Sequence, residues 1–556
     1  MSDEEIAAPE LYGYPLLIAA KAMDYIPFVR QKVASDALMH STRERTDIRE
    51  HPTMLPLPLR HINPNQGACD SPSIPRLDPN HRSVSPFLSF WDYHEAYLQS
   101  KTTPSKVAQR LKQKLTEARK MNWVRFVVDD LAEQARESTE RYKAGAPISQ
   151  MDGVFVTIKE ELDIKGLETK VGTCFVNDNQ PATEDATLVT KLKKAGAIVV
   201  GSAVMNELGW DTFSVNPNTG VPKNPYGAAH SCGGSSGGSG GCVASGLVPV
   251  SIGADGGGSV RIPSSFCGLY GLKTTYARVS GYGGAPIDPS LGTYGPIAAT
   301  ADDMALTYSI IAGPDSNDPM SLLQPTVSLK DYDRYQDLSD LTIGVFPSWA
   351  RNSVEPSILE KVDFFQQALG KLGAKFIEIE IPDLDLSSNA HTVTICSEMY
   401  NFASSHKENH HRFLAHTRLM IGTSSTLDGR DYVRAQQIRT RMMNHMERLF
   451  EKVDLILCPT TALVSPLIPE KAHQYGMSNA KMTIQSMIFC KLGNLTGIPA
   501  VSVPAGFNQD MPIGLQFMAG WHNEALLCRI AKACERLPGI ERKHPKDIWF
   551  ADELLQ

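Results

Sequence analysis

The stretch AHSCGGSSGGSGGCVASGLVPVSIGADGGGSVRIPSSFCGLYGLKTTYARVS, from Ala229 to Ser280, joins two clusters of glycine and serine through an apolar run that is typical of a strand. A solvated Gly-Ser linker is the simple alternative, but linkers are low in complexity and lack apolar flanks. Here VASGLVPVSIGA and VRIPSSFCGLYGL are apolar enough to belong to a core. We therefore expect buried, shaped glycine turns, where backbone amides approach a reacting group closely and serines supply hydroxyls.

Three parts of this stretch, GGSSGGS, GADGGGSVRIP and FCGLYGLK, closely resemble the signature of the amidase signature family, which contains serine hydrolases of carboxamides and some esters. The resemblance implies that Ser259 is the nucleophile and that Ser235 is a bridging serine held in a cis peptide. It also implies a lysine on an upstream strand, and GVFVTIKEELDIKG supplies Lys159. The spacing from Lys159 to Ser235 and on to Ser259 fits the family as well.

The chemistry of amide cleavage explains why these residue types occur together. An alkyl hydroxyl needs a base within hydrogen-bond reach, and a lysine acts as that base only where burial disfavours its charged form. VFVTIK is apolar enough to bury Lys159. In the implied relay, Lys159 takes a proton from Ser235 while Ser235 takes one from Ser259, and the reverse steps protonate the leaving amine. The oxyanion would be met by the backbone amides of Gly256, Gly257, Gly258 and Ser259.

Beside the implied nucleophile the chain departs from the commonest family form. Where that form has Thr-Asp-Thr before the glycines, this chain has Ala254, Asp255 and Gly256, and Cys232 stands where Pro, Thr or Tyr is frequent. These differences affect neighbours of the implied catalytic residues and leave the shape of the substrate open. Asp255 and Arg261 flank the nucleophile, and they either pair to hold the turn or form an ordinary structural ion pair.

Length and composition are those of a large globular enzyme. With 556 residues, of which 42% are apolar and 21% charged, the chain is long enough to bury a substantial core. A net charge of −7 without basic blocks argues against nucleic acid as the main partner. The ten cysteines are widely spaced, with no CxxC pair and no secretory signal, which predicts reduced thiols in the cytoplasm. No stretch approaches the roughly eighteen consecutive apolar residues of a membrane-spanning helix.

Past residue 100 the pattern alternates helices with buried strands. Thr103 and Pro104 suit a helix N-terminus that is followed by an apolar stripe. TLVTKLKKAGAIVVG predicts a helix that ends at Gly196 before a buried strand, and a similar unit follows LTIGVF. We therefore expect an α/β fold with a largely parallel sheet, and the resemblance implies the amidase signature fold, with a central mixed, mostly parallel twisted sheet covered by helices on both faces. The predicted regions are a helical and extended N-terminal segment at 1–100 and a catalytic domain at 101–556, with a peripheral subregion at 341–470.

The N-terminal segment is expected to form two helices at the surface of the protein. LYGYPLLIAAKAMDYIPFVRQKV, from Leu11 to Val33, mixes apolar and basic positions and breaks at Pro27, which predicts two short amphipathic helices. Such helices either make peripheral contact with a membrane or pack against the protein's own core or a second subunit. Residues 49–80 lack periodicity, which is typical of an extended strap. A homodimer is expected from family analogy alone.

Within the family one subgroup fits best. KTTPSKVAQRL, GVFVTIKEELD, NELGWDT, GGGSVRIPSS and GLKTTY resemble the plant-type fatty acid amide hydrolases, which cleave N-acylethanolamines and related lipid amides. The resemblance implies a small-molecule amide substrate with a hydrophobic acyl group and no cofactor. Trp210, in the NELGWDT segment, is either a wall of an acyl pocket or an ordinary core tryptophan.

Two other interpretations stay open. In the first, the same fold cleaves small or aryl amides or serves as a glutamine-hydrolysing amidotransferase component, although no basic patch faces a tRNA. In the second, Ala254 and Gly256 have reshaped the site, and the chain is a catalytically weak binding protein or a member of a biosynthetic complex. The complete set of Lys159, Ser235 and Ser259 argues against the second.

The histidine-rich stretch SSHKENHHRFLAHTR raises the question of a metal. Two of its members, His406 and His410, would share one helix face, but no neighbouring carboxylate or cysteine pattern marks a zinc site. We expect no metal, and a polar helix face near the entrance instead, for His406, His410, His411 and His416. No GxxxxGK[ST] motif occurs, so the glycine-rich region is not an ATP-binding loop.

Overall fold

The computed structural model describes residues 9–58, 74–351 and 354–556. Ahead of residue 100 the described elements are β1 (Leu11–Tyr12), α1 (Tyr14–Tyr25), α2 (Pro27–Asp36) and α3 (Phe90–Leu98). The two short helices predicted around Pro27 are confirmed as α1 and α2. They are separate because Ile26 has extended backbone, which a residue before proline prefers. Residues 59–73 of the predicted strap, with Cys69, lie outside the described residues.

The middle of the chain supplies eight strands and six helices in the described part. They are α4 (Pro104–Lys120), β2 (Val124–Val127), α5 (Leu131–Lys143), β3 (Phe155–Lys159), α6 (Thr187–Lys194), β4 (Ile198–Ala203), β5 (Lys223–Asn224), β6 (Gly227–Ser231), α7 (Gly237–Ala244), β7 (Val250–Asp255), α8 (Arg261–Phe266), β8 (Tyr270–Lys273), β9 (Thr293–Ala298) and α9 (Ala301–Ile311). The quoted stretch of glycines and serines thus becomes α7, β7 and α8, all buried as expected.

The C-terminal part adds longer helices and the remaining strands. They are β10 (Thr342–Val345), α10 (Pro347–Arg351), α11 (Pro356–Lys371), β11 (Lys375–Glu378), α12 (Leu384–Ser404), α13 (Ala415–Ser424), α14 (Gly429–Phe450), β12 (Leu455–Pro459), α15 (Ala472–Tyr475), β13 (Met477–Ser478), α16 (Ala480–Met487), α17 (Lys491–Thr496), β14 (Ala500–Asn508), β15 (Met511–Ala519), α18 (Glu524–Glu535) and α19 (Ala551–Leu554). The region 341–470, expected to be peripheral, contributes β11, β10 and β12 to one end of the main sheet.

The main sheet has eleven described strands in the order β11-β10-β12-β15-β14-β8-β9-β7-β3-β4-β2. The fold class is confirmed as α/β with a mixed sheet, but the expectation of mostly parallel pairing is wrong. Of the ten neighbouring pairs in the described chain, six are antiparallel. The pattern misleads because β14 and β15 are apolar along most of their length and buried, as strands of a parallel sheet are, although they form an antiparallel hairpin.

The helix boundaries that were predicted from capping and glycine residues agree with the structure. The Thr103 hydroxyl accepts a hydrogen bond from the Lys106 amide at 3.3 Å and caps α4, whose predicted stripe is buried. Helix α6 ends before Gly196, which has φ +91°, and β4 follows as predicted. The parallel pair of β10 and β11, connected by α11, confirms the predicted second unit.

The N-terminal helices cover the C-terminal helical layer. Leu16 and Ala20 of α1 are buried against Ala415 of α13, and β1 pairs with β13. The opposite side of these helices is apolar and exposed, with Tyr25 81% and Phe28 74% exposed. The segment therefore packs on the protein's own core with one side and presents apolar side chains to the surroundings with the other.

Candidate active site

Strand β3 delivers Lys159 to the centre of the molecule. All five of its residues are buried, because β4 and β7 pair with it on either side. At its last position, the Lys159 Nζ lies 2.9 Å from Ser235 Oγ and 3.4 Å from the Ala254 carbonyl oxygen. A third contact joins Nζ to Glu161 Oε2 at 2.8 Å. The structure thus brings the predicted lysine and bridging serine together and adds a carboxylate to them.

Ser235 lies in the turn that leads into α7. The peptide bond between Gly234 and Ser235 is cis, as the family resemblance implies. Glycine is required at 234, because a Cβ there would lie 2.8 Å from the Ser214 amide nitrogen. The Ser235 carbonyl accepts a hydrogen bond from the Asn206 amide at 3.2 Å, which ties the turn to the NELG segment.

Asp255 and Arg261 hold the loop that carries Ser259, between β7 and α8. The guanidinium donates to both carboxylate oxygens, at 2.9 and 3.0 Å, and both side chains are fully buried. The same carboxylate accepts the backbone amides of Gly258 at 2.7 Å and Val260 at 3.2 Å. Burial alone would raise the pKa of Asp255, but Arg261 lowers it below its ordinary value. The pair was expected either to hold the turn or to be an ordinary structural ion pair. The structure supports the first interpretation, because the carboxylate also accepts hydrogen bonds from amides of the loop.

The loop offers only some of its amides to a ligand. The Gly258 amide is engaged by Asp255, and Gly258 does not line the cavity. Gly256, Gly257 and Ser259 do line it, and their amides donate to no group in the described ranges. A Cβ at Gly257 would lie 2.4 Å from Met487 Cε, so a side chain there would require Met487 to move.

His391 of α12 fixes the orientation of this loop. Burial, followed by the charge of Lys491, lowers its pKa to about 3, so the ring is neutral at physiological pH. Its Nε2–H donates to the Gly256 carbonyl oxygen at 2.8 Å. In a trans peptide the N–H points away from the C=O, so the Gly257 amide is turned away from His391.

A cavity of about 440 Å³ contains these groups. Such a volume suits one small organic ligand. Ser259 is half-buried and lines the same cavity as Lys159 and Ser235, but no hydrogen bond joins the Ser259 and Ser235 hydroxyls among the described residues. Trp210 also lines the cavity. Most of the remaining wall is apolar and comes from α1, α2, α12 and α13, including Met23, Val29, Val33, Ile395, Met399 and Met420.

Several polar residues of the wall were not predicted from the sequence, and four of them matter for the chemistry. They are Glu161, Asp288, His391 and Lys491. For Glu161 a signal existed, because residues two apart in an extended chain share a face and Lys159 was already singled out. His391 and Lys491 lie far from the glycine-rich stretch in sequence, and Asp288 follows it without belonging to a motif, so only the folding of the chain brings these three to the site.

The histidine-rich stretch forms no common site. His406 and His410 do not share an α-helix face, because α12 ends at Ser404 and a 3-10 turn follows. His410 lies 2.9 Å from an Asp24 carboxylate oxygen, and His416 is buried in the cavity wall. In the described part of the chain no group of three or more histidine, cysteine, aspartate or glutamate residues could hold a metal ion.

The cysteines are unpaired wherever the structure describes them. Each of the nine described cysteines is a free thiol, and eight of them are buried. No helix among the described residues is both long enough and apolar enough to cross a membrane.

Comparison with known proteins assigns the family. The family model described as Amidase matches residues 106–528, and the chain therefore belongs to the amidase family of amide-cleaving hydrolases. A fatty acid amide hydrolase of Oryza sativa subsp. indica is 36% identical over 491 residues, which cover 85% of this chain and 81% of the rice protein.

The chain is also similar to proteins with other descriptions. A glutamyl-tRNA(Gln) amidotransferase subunit of Coxiella burnetii (strain RSA 493 / Nine Mile phase I) is 32% identical over 440 residues, covering 74% of this chain and 89% of the Coxiella protein. A solved structure from a complex that reveals the evolutionary origins of an s-triazine catabolic enzyme superposes with a TM-score of 0.74 and 28% identity, covering 82% of this chain and 99% of that one. The architecture is thus that of amidase signature enzymes.

Proposed function

We propose that this protein hydrolyses fatty acid amides such as N-acylethanolamines, with Ser259 as nucleophile, Ser235 as bridging serine and Lys159 as base. The observation that carries the proposal is the cavity, whose wall includes Ser259 at one place and apolar side chains of α1 and α2 at another. An acyl chain buried there gains roughly 0.8 kcal/mol per CH₂ group. The similarity to the rice fatty acid amide hydrolase supports the same substrate class.

In the proposed reaction, Ser259 Oγ attacks the acyl carbon while its proton passes to Ser235 and the proton of Ser235 passes to Lys159. The amides of Gly256, Gly257 and Ser259 donate to the oxyanion, a contribution worth roughly 3–4 kcal/mol of barrier for each donor. Return of the protons through Ser235 lets the amine leave as the C–N bond breaks. Water then hydrolyses the acyl-enzyme by the same relay.

Glu161 adds a charge to this relay. A base needs a free electron pair, whereas a carboxylate 2.8 Å from Lys159 Nζ favours the ammonium form. In the proposed relay Lys159 therefore acts from its deprotonated form, and Glu161 positions its amine group beside Ser235.

The alternatives remain candidates with separate support. Similarity to the Coxiella glutamyl-tRNA(Gln) amidotransferase protein supports a glutamine-hydrolysing component of a complex, which co-purification of partner proteins would reveal. An amidase for small or aryl amides would turn over short acyl amides faster than long ones. A catalytically weak binding protein would fail to react with a serine-directed probe.

For the exposed sides of α1 and α2 we propose peripheral contact with a membrane from the cytoplasmic side, where a lipid substrate would enter. The exposed side chains include Tyr14, Ile18, Tyr25 and Phe28. Tyr25→Ser with Phe28→Ser should weaken co-sedimentation with phospholipid vesicles. Equal binding of the wild-type and double-variant proteins would contradict this proposal. A homodimer, expected by analogy, is checked by sedimentation velocity.

A fluorophosphonate probe tests the proposed nucleophile. One covalent adduct should appear by intact mass, and Ser259→Ala should lose it while Ser245→Ala keeps it. Ser245 is a suitable control because it is a buried serine next to α7, and its hydroxyl donates to the Cys242 carbonyl outside the cavity wall. A panel of amides with graded acyl length then tests the substrate class, since higher kcat/KM for short chains would contradict it.

A further inference from the structure

Asp288 is a carboxyl group in the reaction chamber that the proposed proton relay does not use. It lies between β8 and β9, lines the cavity and is half-buried. Its Oδ2 is packed against Gly256, where an added Cβ would be 1.5 Å away, and its Oδ1 faces Gly292. No hydrogen bond to this side chain is found among the described residues. The carboxyl group therefore has unused hydrogen-bonding capacity within the chamber.

The surroundings of Asp288 favour its protonated form. Burial first, and then the nearby carboxylates of Glu161 and Glu398, raise its pKa well above the ordinary value, which the charge of Lys159 only partly opposes. Asp255 adds a smaller effect in the same direction as Glu161. A protonated carboxyl group both donates and accepts a hydrogen bond, as a hydroxyl group does.

The chain connections place Asp288 on the side of the chamber that contains the relay. The Ala285 amide donates to the Glu161 carbonyl at 2.9 Å, and Leu162 forms an antiparallel bridge with Gly284. The loop with Asp288 is thus tied to the residues directly after Lys159. Since the leaving amine takes its proton from the relay in the proposed reaction, the amine nitrogen lies on this side of the chamber.

We propose that Asp288 binds the amine portion of the substrate by exchanging hydrogen bonds with a hydroxyl group on it. This inference rests on the proposed function and extends it from the acyl group to the leaving group. A hydroxyl group and a protonated carboxyl group can each donate one hydrogen bond to the other and accept one from it. An ammonium group would instead pair best with a deprotonated Asp288, which the nearby Glu161 disfavours. A purely apolar amine leaves the buried carboxyl without a partner, which is unfavourable.

The test uses pairs of amides that differ only in the amine. For each acyl chain, the N-(2-hydroxyethyl) amide is compared with its N-propyl analogue of similar shape, and N-(2-aminoethyl) serves as the cationic comparison. The wild type should favour the hydroxyethyl amide over the propyl amide by about 10-fold or more in kcat/KM. Asp288→Leu should bring this ratio close to 1, and Asp288→Asn, which keeps a donor and an acceptor, should retain part of it.

Controls separate the outcomes. Asp163→Asn changes a half-buried aspartate outside the cavity wall and should keep the wild-type ratio. A wild-type ratio near 1, a preference for the aminoethyl amide, or an unaltered ratio in Asp288→Leu would each overturn the inference. If short-chain pairs react faster than long-chain pairs while the hydroxyl preference persists, the acyl part of the proposed function fails and the assignment of Asp288 stands. If no pair is hydrolysed, both fail.

Discussion

Replacing Arg261 by methionine would test whether the buried ion pair holds the loop of Ser259. The guanidinium makes two hydrogen bonds to Asp255 and further ones to the Cys490 carbonyl, to Asn494 and to Gln516. Methionine fills a similar volume but removes all of these donors. Asp255 is fully buried and would lose its ion-pair partner, and only the more distant charge of Lys273 and the amides of the loop would still act on it.

The expected loss follows from this uncompensated charge. Breaking a fully buried pair by removing one partner typically costs about 3–5 kcal/mol of unfolding free energy. In the wild type the pKa of Asp255 is below its ordinary value, so its contribution to stability is present above the ordinary value of 3.8 and lost as pH falls through the native value. In Arg261→Met the carboxyl group should take up a proton more readily, and the difference from the wild type should shrink in acid.

Urea unfolding followed by tryptophan fluorescence measures this difference, with kcat recorded on the same samples. Arg136→Met is the matched control, because Arg136 pairs with Glu133 at 2.5 Å while both side chains are more than half exposed. An exposed pair contributes about 0–1 kcal/mol. The reasoning would be refuted if Arg261→Met lowered the free energy of unfolding no more than Arg136→Met does.

Three further predictions concern the site and its surroundings. His391→Phe should lower kcat roughly 10- to 100-fold with little change in KM, because the Gly257 amide loses its fixed orientation; partial recovery in His391→Gln is the check on a positioning role. Glu161→Gln removes the charge beside Lys159 while keeping the size of the side chain, so kcat/KM should fall because the amine group is held less firmly beside Ser235; an unchanged kcat/KM would contradict the involvement of this contact. Burial raises the pKa of Glu160 from 4.5 to about 8, so the wild type should lose stability as pH rises between these values while Glu160→Gln avoids that loss; urea unfolding across this interval measures it.

Sequence predicted best those features that depend on neighbouring residues. The cap at Thr103 and the stop at Gly196 each need only a side chain or a backbone conformation within one turn. The direction of β15 depends instead on the two-residue connection after β14. Gln509 there has φ +54° without being glycine or asparagine, so the usual hairpin signal is missing and the strand direction was not predicted.

The candidate site likewise contains residues that motifs predicted and residues that only the packing of the chain brings together. Lys159 and Ser235 were identified from motifs, and the structure places their side chains 2.9 Å apart. Asp288 and His391 reach the glycine loop from the β8–β9 connection and from α12, and neither belongs to a motif. Their positions depend on the packing of whole elements, which a single sequence does not specify.

Gly256 was noted as a departure from the commonest family form, which has threonine there, and the structure gives it a physical reason. A Cβ at this position would lie 1.5 Å from Asp288 Oδ2, so the carboxyl group occupies the space that a threonine side chain would need. Glycine at 256 and aspartate at 288 therefore fit together, because a side chain at 256 would require the carboxyl group to move from its position. The departure reflects an altered lining of the chamber beside the relay, and it gives no reason to regard the site as decayed.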